Sequence, residues 1–188
     1  CYNTENVTGT STGASVGGVC GVQSTNGLTS NCYSTGSVIC TASDTTNTYV
    51  GGVCGFQKGA IKNCYYDNGK FTGKAIDYSA SDTSQSVYVE GKTFQLFSNG
   101  GVAYLLNSRA AEGSPVWYQN IDNRLAKDAV PVLDSSHGIV YASKPCPVIG
   151  SNNENTVSTE SKAHSFDNSN ICSVCGKKGD VIDDPAIR

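Results

Sequence analysis

Four residues in the last quarter of the chain have the types and spacing of a metal site: Cys146, His164, Cys172 and Cys175. Cys172-Ser173-Val174-Cys175-Gly176-Lys177-Lys178 has the form of a metal knuckle. Two thiolates sit on one tight turn, and Gly176 relieves the backbone where amides point at sulfur. Seventeen residues separate Cys146 from His164, and seven separate His164 from Cys172. Three thiolates and one imidazole complete a tetrahedral set with no open position for water, so the predicted ion is a structural zinc. The polar stretch 150–162 lacks a core of its own, and metal would drive the folding of so small a module. The competing readings are a Cys172–Cys175 disulfide and a thioredoxin-like redox pair, the latter without the βαβ setting it needs.

The other six cysteines are Cys1, Cys20, Cys32, Cys40, Cys54 and Cys64, and five of them belong to a repeat. Val16-Gly17-Gly18-Val19-Cys20-Gly21-Val22-Gln23 recurs as Val50-Gly51-Gly52-Val53-Cys54-Gly55-Phe56-Gln57. Asn31-Cys32-Tyr33 recurs as Asn63-Cys64-Tyr65, and the chain opens on Cys1-Tyr2. The spacings run from 31 to 34 residues, with variation confined to Ser/Thr/Asn-rich stretches that behave as loops. Cysteine in such a column packs as a small apolar residue, or bridges to the next repeat as a disulfide. Cys40 falls outside both columns, as a stray thiol. Tyr2, Tyr33 and Tyr65 form a second column, predicted to point away from the cysteines. Exposed in a row, they offer a face for a glycan or a peptide. The competing reading is strand-favouring tyrosines on a solvated sheet.

No comparable constellation supports catalysis. Glu5, Asp44, Lys58, Lys62, Asp67 and Lys70 share no column, and no carboxylate pair repeats. Neither a Gly-x-Ser-x-Gly elbow nor a His-Glu-x-x-His is present. The expectation is therefore a non-enzyme. A net charge of -3 leaves no basic stripe for nucleic acid or an anionic membrane surface. No apolar run reaches the roughly 18 residues of a membrane span. With no initiator Met and no leader pattern at the start, the sequence reads as an internal piece.

The elements that position these columns are short, β-branched and bounded by Gly, Asn and Ser, which predicts strands and turns. Along Val50 to Phe56, alternation would face Val50, Gly52, Cys54 and Phe56 inward, as Val16, Gly18, Cys20 and Val22 do one copy earlier. Strands so short bury a face only by stacking about 4.8 Å apart on equivalents in neighbouring coils. The expected fold is all-β: a short right-handed parallel β-solenoid over 1–73, a small α/β cap over 74–143, and a metal-stabilised appendage over 144–188. The cap covers the open end of the stack. Val102 to Asn107 is its helix candidate, and Phe94, Leu96, Phe97, Leu105 and Leu106 are its covering residues. Trp117 is expected in the cap core, with a glycan platform as the alternative. Pro131–Leu133 and Ile139–Tyr141 are expected as strands joined by a hairpin-like turn containing His137.

The blocks GGVCGVQSTNGLTSNCYSTGSV and GGVCGFQKGAIKNCYYDNGKF resemble the GLUG repeats of bacterial surface proteins. Leu28 and Ile61 take the apolar position ahead of Asn-Cys-Tyr. Thr35-Gly36-Ser37-Val38 matches the family's tail, while Asp67-Asn68-Gly69-Lys70 departs from it. The likeness covers residues 1–73, and Gly101–Asn107, Val116–Gln119 and Pro131–Asp134 with His137-Gly138 are similar to the segment that ends such arrays. His-Ser-Phe-Asp and Ile-Cys-Ser-Val-Cys-Gly also look like a short C-terminal module of gut-type bacterial surface proteins. The resemblance implies an extracellular or cell-surface location and a displayed, non-catalytic module. Its partners would be a glycan or a host or bacterial surface protein. The alternative it implies is an accessory region of a large secreted metallopeptidase or polysaccharide-active enzyme.

Overall fold

The computed structural model describes residues 1–80, 86–121, 127–142 and 180–182. Its elements are mostly short strands, with two short helices. Strands β1 (Tyr2–Asn3), β2 (Val7–Gly9), β3 (Ser15–Gly17) and β4 (Cys20–Gln23) are followed by β5 (Leu28–Ser34), β6 (Val38–Cys40), β7 (Tyr49–Gly51) and β8 (Cys54–Gln57). Each of the first four lies parallel to its counterpart in the second set: Tyr2 opposite Tyr33, Val7 opposite Val38, Val16 opposite Val50, and Cys20 opposite Cys54. Three of these pairings, Tyr2 with Tyr33, Val16 with Val50 and Cys20 with Cys54, join positions that recur in the sequence, so the repeat spacing is the path length back to the same sheet. Strands β9 (Ala60–Asp67), β10 (Ile76–Ser79) and β11 (Ser86–Lys92) extend two of the sheets, in orders β1-β5-β9-β11 and β4-β8-β10, again parallel. Parallel neighbours usually need a helical crossover. Here the return runs through other short strands instead.

Glycine makes the corners possible. A Cβ on Gly17 or Gly51 would run into the carbonyl oxygen of Cys20 or Cys54, and one on Gly52 would enter the Tyr66 ring. The Gly-Gly-Val block is thus a bend between two strands. The expected single alternation from Val16 to Val22 breaks there. Val16, Val53 and Cys54 are buried, Cys20 and Phe56 are half-buried, and Val22 is 57% exposed. After the bend, the buried positions of β4 and β8 close on Gln23 and Gln57. The Thr29 hydroxyl donates to Gln23 at 2.5 Å, and Gln57 donates to the Gly59 carbonyl at 2.7 Å. That satisfies amides which would be costly to bury unpaired.

A second device lies in the Asn-Cys-Tyr blocks. Asn31 and Asn63 sit at φ 58° and 50°, a left-handed conformation that Asn tolerates better than most residues. Asn63 donates from its amide to the Asn31 side-chain oxygen at 2.5 Å, forming a rung between adjacent copies. The core beside these rungs gathers Cys32, Val53, Cys54, Ile61, Cys64 and Tyr66.

The described chain forms two compact units, residues 1–97 with 108–114, and residues 98–107 with the remainder from 115. Helix α1 (Phe94–Ser98), absent from the sequence expectation, buries Phe97 and leaves Phe94 46% exposed. Helix α2 (Gly101–Ser108) covers the expected span and buries Val102, Ala103, Leu105 and Leu106. In the second unit Trp117 is fully buried, as expected of a core residue. Asn107 clamps its backbone: the side-chain amide donates to the Trp117 carbonyl at 2.7 Å, and the Trp117 N–H donates back at 2.8 Å. Val132 pairs antiparallel with Tyr118 rather than across the expected hairpin, while His137 does close a turn onto Asp134. The His137 imidazole contacts the Asp128 carboxylate at 2.6 Å, and Asp128 also accepts from the Asn120 N–H at 2.7 Å.

Candidate functional site

The tyrosine column exists, but it is not an open face. Tyr2 is 45% exposed, whereas Tyr33 and Tyr65 are fully buried. Tyr2 stacks on Tyr33 with ring centroids 5.4 Å apart, and Phe97 closes on Tyr33 at 5.5 Å. Arg109 donates to the Tyr65 hydroxyl at 3.1 Å, and the same hydroxyl donates to Asn63 at 2.7 Å. Cysteine and tyrosine do leave the strand on opposite sides, yet both sides are covered, one by the core and the other by α1 and Arg109. Burial accordingly pushes the Tyr65 hydroxyl up to about 12 and that of Tyr33 further up. The expected binding face of Tyr2, Tyr33 and Tyr65 is corrected on this ground.

The exposed aromatic surface lies elsewhere, on the sheet of β4, β8 and β10. Register places Val22, Phe56 and Tyr78 side by side. Phe56 and Tyr78 are stacked at 5.0 Å with 19° between their planes, and Tyr49 on β7 packs 5.3 Å from the first and 4.9 Å from the second. Lys58 holds its ammonium 5.4 Å from the centre of the Phe56 ring. Tyr78 is 44% exposed at one end of this strip and Val22 57% at the other. Apolar rings thus meet solvent beside a cation and two phenol groups. The sequence carried a partial signal in Phe56 at the position of Val22. Tyr78 was hidden because Ile76-Asp77-Tyr78-Ser79 does not resemble the repeat it pairs with.

Among the described residues the repeat cysteines form two columns of free thiols. Cys20 lies opposite Cys54, and Cys32 lies opposite Cys64. Cys1 meets Cys32 with sulfurs 3.3 Å apart. Within each in-register pair one thiol is pulled down and its neighbour pushed up. A hydrogen bond from Cys64 lowers Cys32, and one from Cys54 lowers Cys20; the donors Cys64 and Cys54 rise correspondingly. Cys40 stands apart, half-buried, opposite Gly9.

Cys146, His164, Cys172 and Cys175 lie outside the described residues. Among the described residues no group of three or more His, Cys, Asp or Glu is arranged to hold a metal ion, and no helix is long and apolar enough to cross a membrane. No family model, curated protein or solved structure matches the chain.

Proposed function

We propose that the chain is a non-catalytic repeat module, displayed on a bacterial cell surface or secreted, that binds glycan through the aromatic strip on β4, β8 and β10. The observation carrying this reading is the stack of Phe56 on Tyr78, flanked by Tyr49, Val22 and Lys58. Flat apolar area edged by hydroxyl and ammonium groups suits a sugar, whose C–H face packs on a ring while its hydroxyls take hydrogen bonds. The scaffold is a short right-handed parallel β-solenoid with a small α/β cap. In-register parallel pairing of copies 31 to 34 residues apart supports it, because a chain returning to the same sheet through short strands advances by one coil per repeat. The GLUG-like blocks support the extracellular location, and the knuckle sequence supports structural zinc on Cys146, His164, Cys172 and Cys175.

Binding of the purified chain to an array of host and bacterial glycans tests the reading. Tyr78→Ser is expected to weaken binding about tenfold, the equivalent of ~1.4 kcal/mol, while Tyr2→Ser leaves it unchanged. Silence across the array sinks the glycan reading. Binding that survives Tyr78→Ser and Phe56→Ser moves the site away from the strip.

A further inference from the structure

Lys58 is the cation of the aromatic strip, and its charge is unmet. It lies exposed in the bend between β8 and β9, where its backbone N–H donates to the Gln23 carbonyl at 2.8 Å. Its ammonium stands 5.4 Å from the centre of the Phe56 ring. Among the described residues no carboxylate lies within ion-pair distance of it, whereas Lys92 and Arg109 share Glu90. Asp77, next to Tyr78 in the chain, accepts from the Val50 N–H at 2.8 Å and so caps the β7 backbone. The polar groups of the strip are one ammonium and the hydroxyls of Tyr49 and Tyr78. Ring and cation also enter the repeat together, because the preceding copy has Val22 and Ser24 where this one has Phe56 and Lys58. A neutral sugar would satisfy the hydroxyls and leave the ammonium without a counter-charge. A carboxylate meets it with a charge-assisted hydrogen bond, roughly twice as strong as a neutral one. Tyr78, 44% exposed, is the ring open to stacking, and Phe56 lies 5.0 Å from it. Lys58 stands over that second ring, so stacking and charge are recognised at neighbouring positions along the strip.

We propose that the glycan taken by this strip is acidic: an oligosaccharide containing uronic acid, whose carboxylate pairs with Lys58 while a neighbouring sugar packs on Tyr78. The inference rests on the glycan reading above and narrows it to one chemical class. A uronic acid carries its carboxylate directly on the sugar ring. An acidic unit beside the stacked one therefore brings its charge to the rim of Phe56, where the ammonium is held. A sulfate ester stands further out, on an additional oxygen, and carries its charge away from the ring face. The hydroxyls of Tyr49 and Tyr78 serve the sugar hydroxyls as donors or acceptors. Salt screens the exposed ion pair but not the stacking contact, so preference for the acidic ligand falls as ionic strength rises.

The test is calorimetric titration of the purified chain with hexasaccharides of hyaluronan, alginate and polygalacturonate. Each is run beside its carboxyl-reduced, neutral form, and a sulfated dextran hexasaccharide is run beside them all. The expected result is a uronic hexasaccharide that binds roughly tenfold more tightly than its reduced form, the difference that one hydrogen bond to a charged group makes. Lys58→Gln, at an exposed position, should erase that difference, and Tyr78→Ser should weaken both members of the pair. The acidic class is overturned if the acidic and reduced forms bind alike, or if the preference survives Lys58→Gln. It is equally overturned if only sulfated or neutral glycans bind. In each of these cases the glycan reading itself stands. Silence of every probe here and across the array overturns both.

Discussion

Asn63 shows how one residue type can satisfy a backbone and a core at once. Its φ of 50° is costly for most residues, its amide donates to Asn31, and its side-chain oxygen accepts from the buried Tyr65 hydroxyl. Asn63→Ala would keep the strained backbone, take the acceptor from the Tyr65 hydroxyl and remove the rung to Asn31. The left-handed conformation costs roughly 1–2 kcal/mol, and the buried hydroxyl left without its acceptor adds about 1–3 kcal/mol. Denaturant titration should therefore show a loss of about 2–5 kcal/mol for Asn63→Ala. Asn63→Gly relieves the backbone and should lose less. Equal losses in the two variants would mean that the strain contributes nothing. The Asn-Cys-Tyr block was legible as a unit from its recurrence. Its left-handed corner was not, because φ is decided by what the strand must turn around.

At the scale of elements, α2 and the segment around Trp117 are joined by a side chain imitating a strand. The Asn107 amide makes the donor and acceptor bonds that a neighbouring backbone would make to Trp117. Asn107→Ala removes both, and water cannot easily replace them beside a fully buried indole. A cost of about 2–4 kcal/mol is expected, read as a lower midpoint in the fluorescence of the sole Trp. Asn107→Asp keeps the acceptor for the Trp117 N–H but sets a carboxylate oxygen against the carbonyl, so it should also destabilise. An unchanged midpoint in both variants would show that the clamp is not stabilising. Helix α2 could be read from Gly100-Gly101 before it and Asn107-Ser108 after it, whereas this clamp joins residues ten apart through a loop with no periodic pattern.

For the molecule as a whole, the two compact units differ in what holds them. Residues 1–97 rest on in-register columns of Cys, Val, Tyr and Asn. The C-terminal cysteines and His164 are expected to rest on a metal ion instead. Metal analysis of the purified chain should find about one zinc per chain, the stoichiometry of a four-ligand structural site. Chelation should then expose three further reactive thiols while the strand signal in circular dichroism persists. A chain free of zinc, with Cys172 and Cys175 already joined, would replace the metal site with a disulfide.

The sequence by itself determined the repeat, its length, its strand character and the pairing of like with like. Identical residues at matching positions stack best on one another, so recurrence and register are the same information. The partly legible fold stops where the copies diverge. Pairing of Ile76–Ser79 with Cys54–Gln57, the helix carrying Phe97, and the arginine over Tyr65 all involve segments that match nothing else in the chain. Only the tertiary structure decided which aromatic column is solvated. Strand alternation tells which residues share a side, but a side is buried or open according to what distant chain covers it. Tyr33 and Tyr65 lie under Phe97 and Arg109, and Tyr78 meets solvent, for that reason.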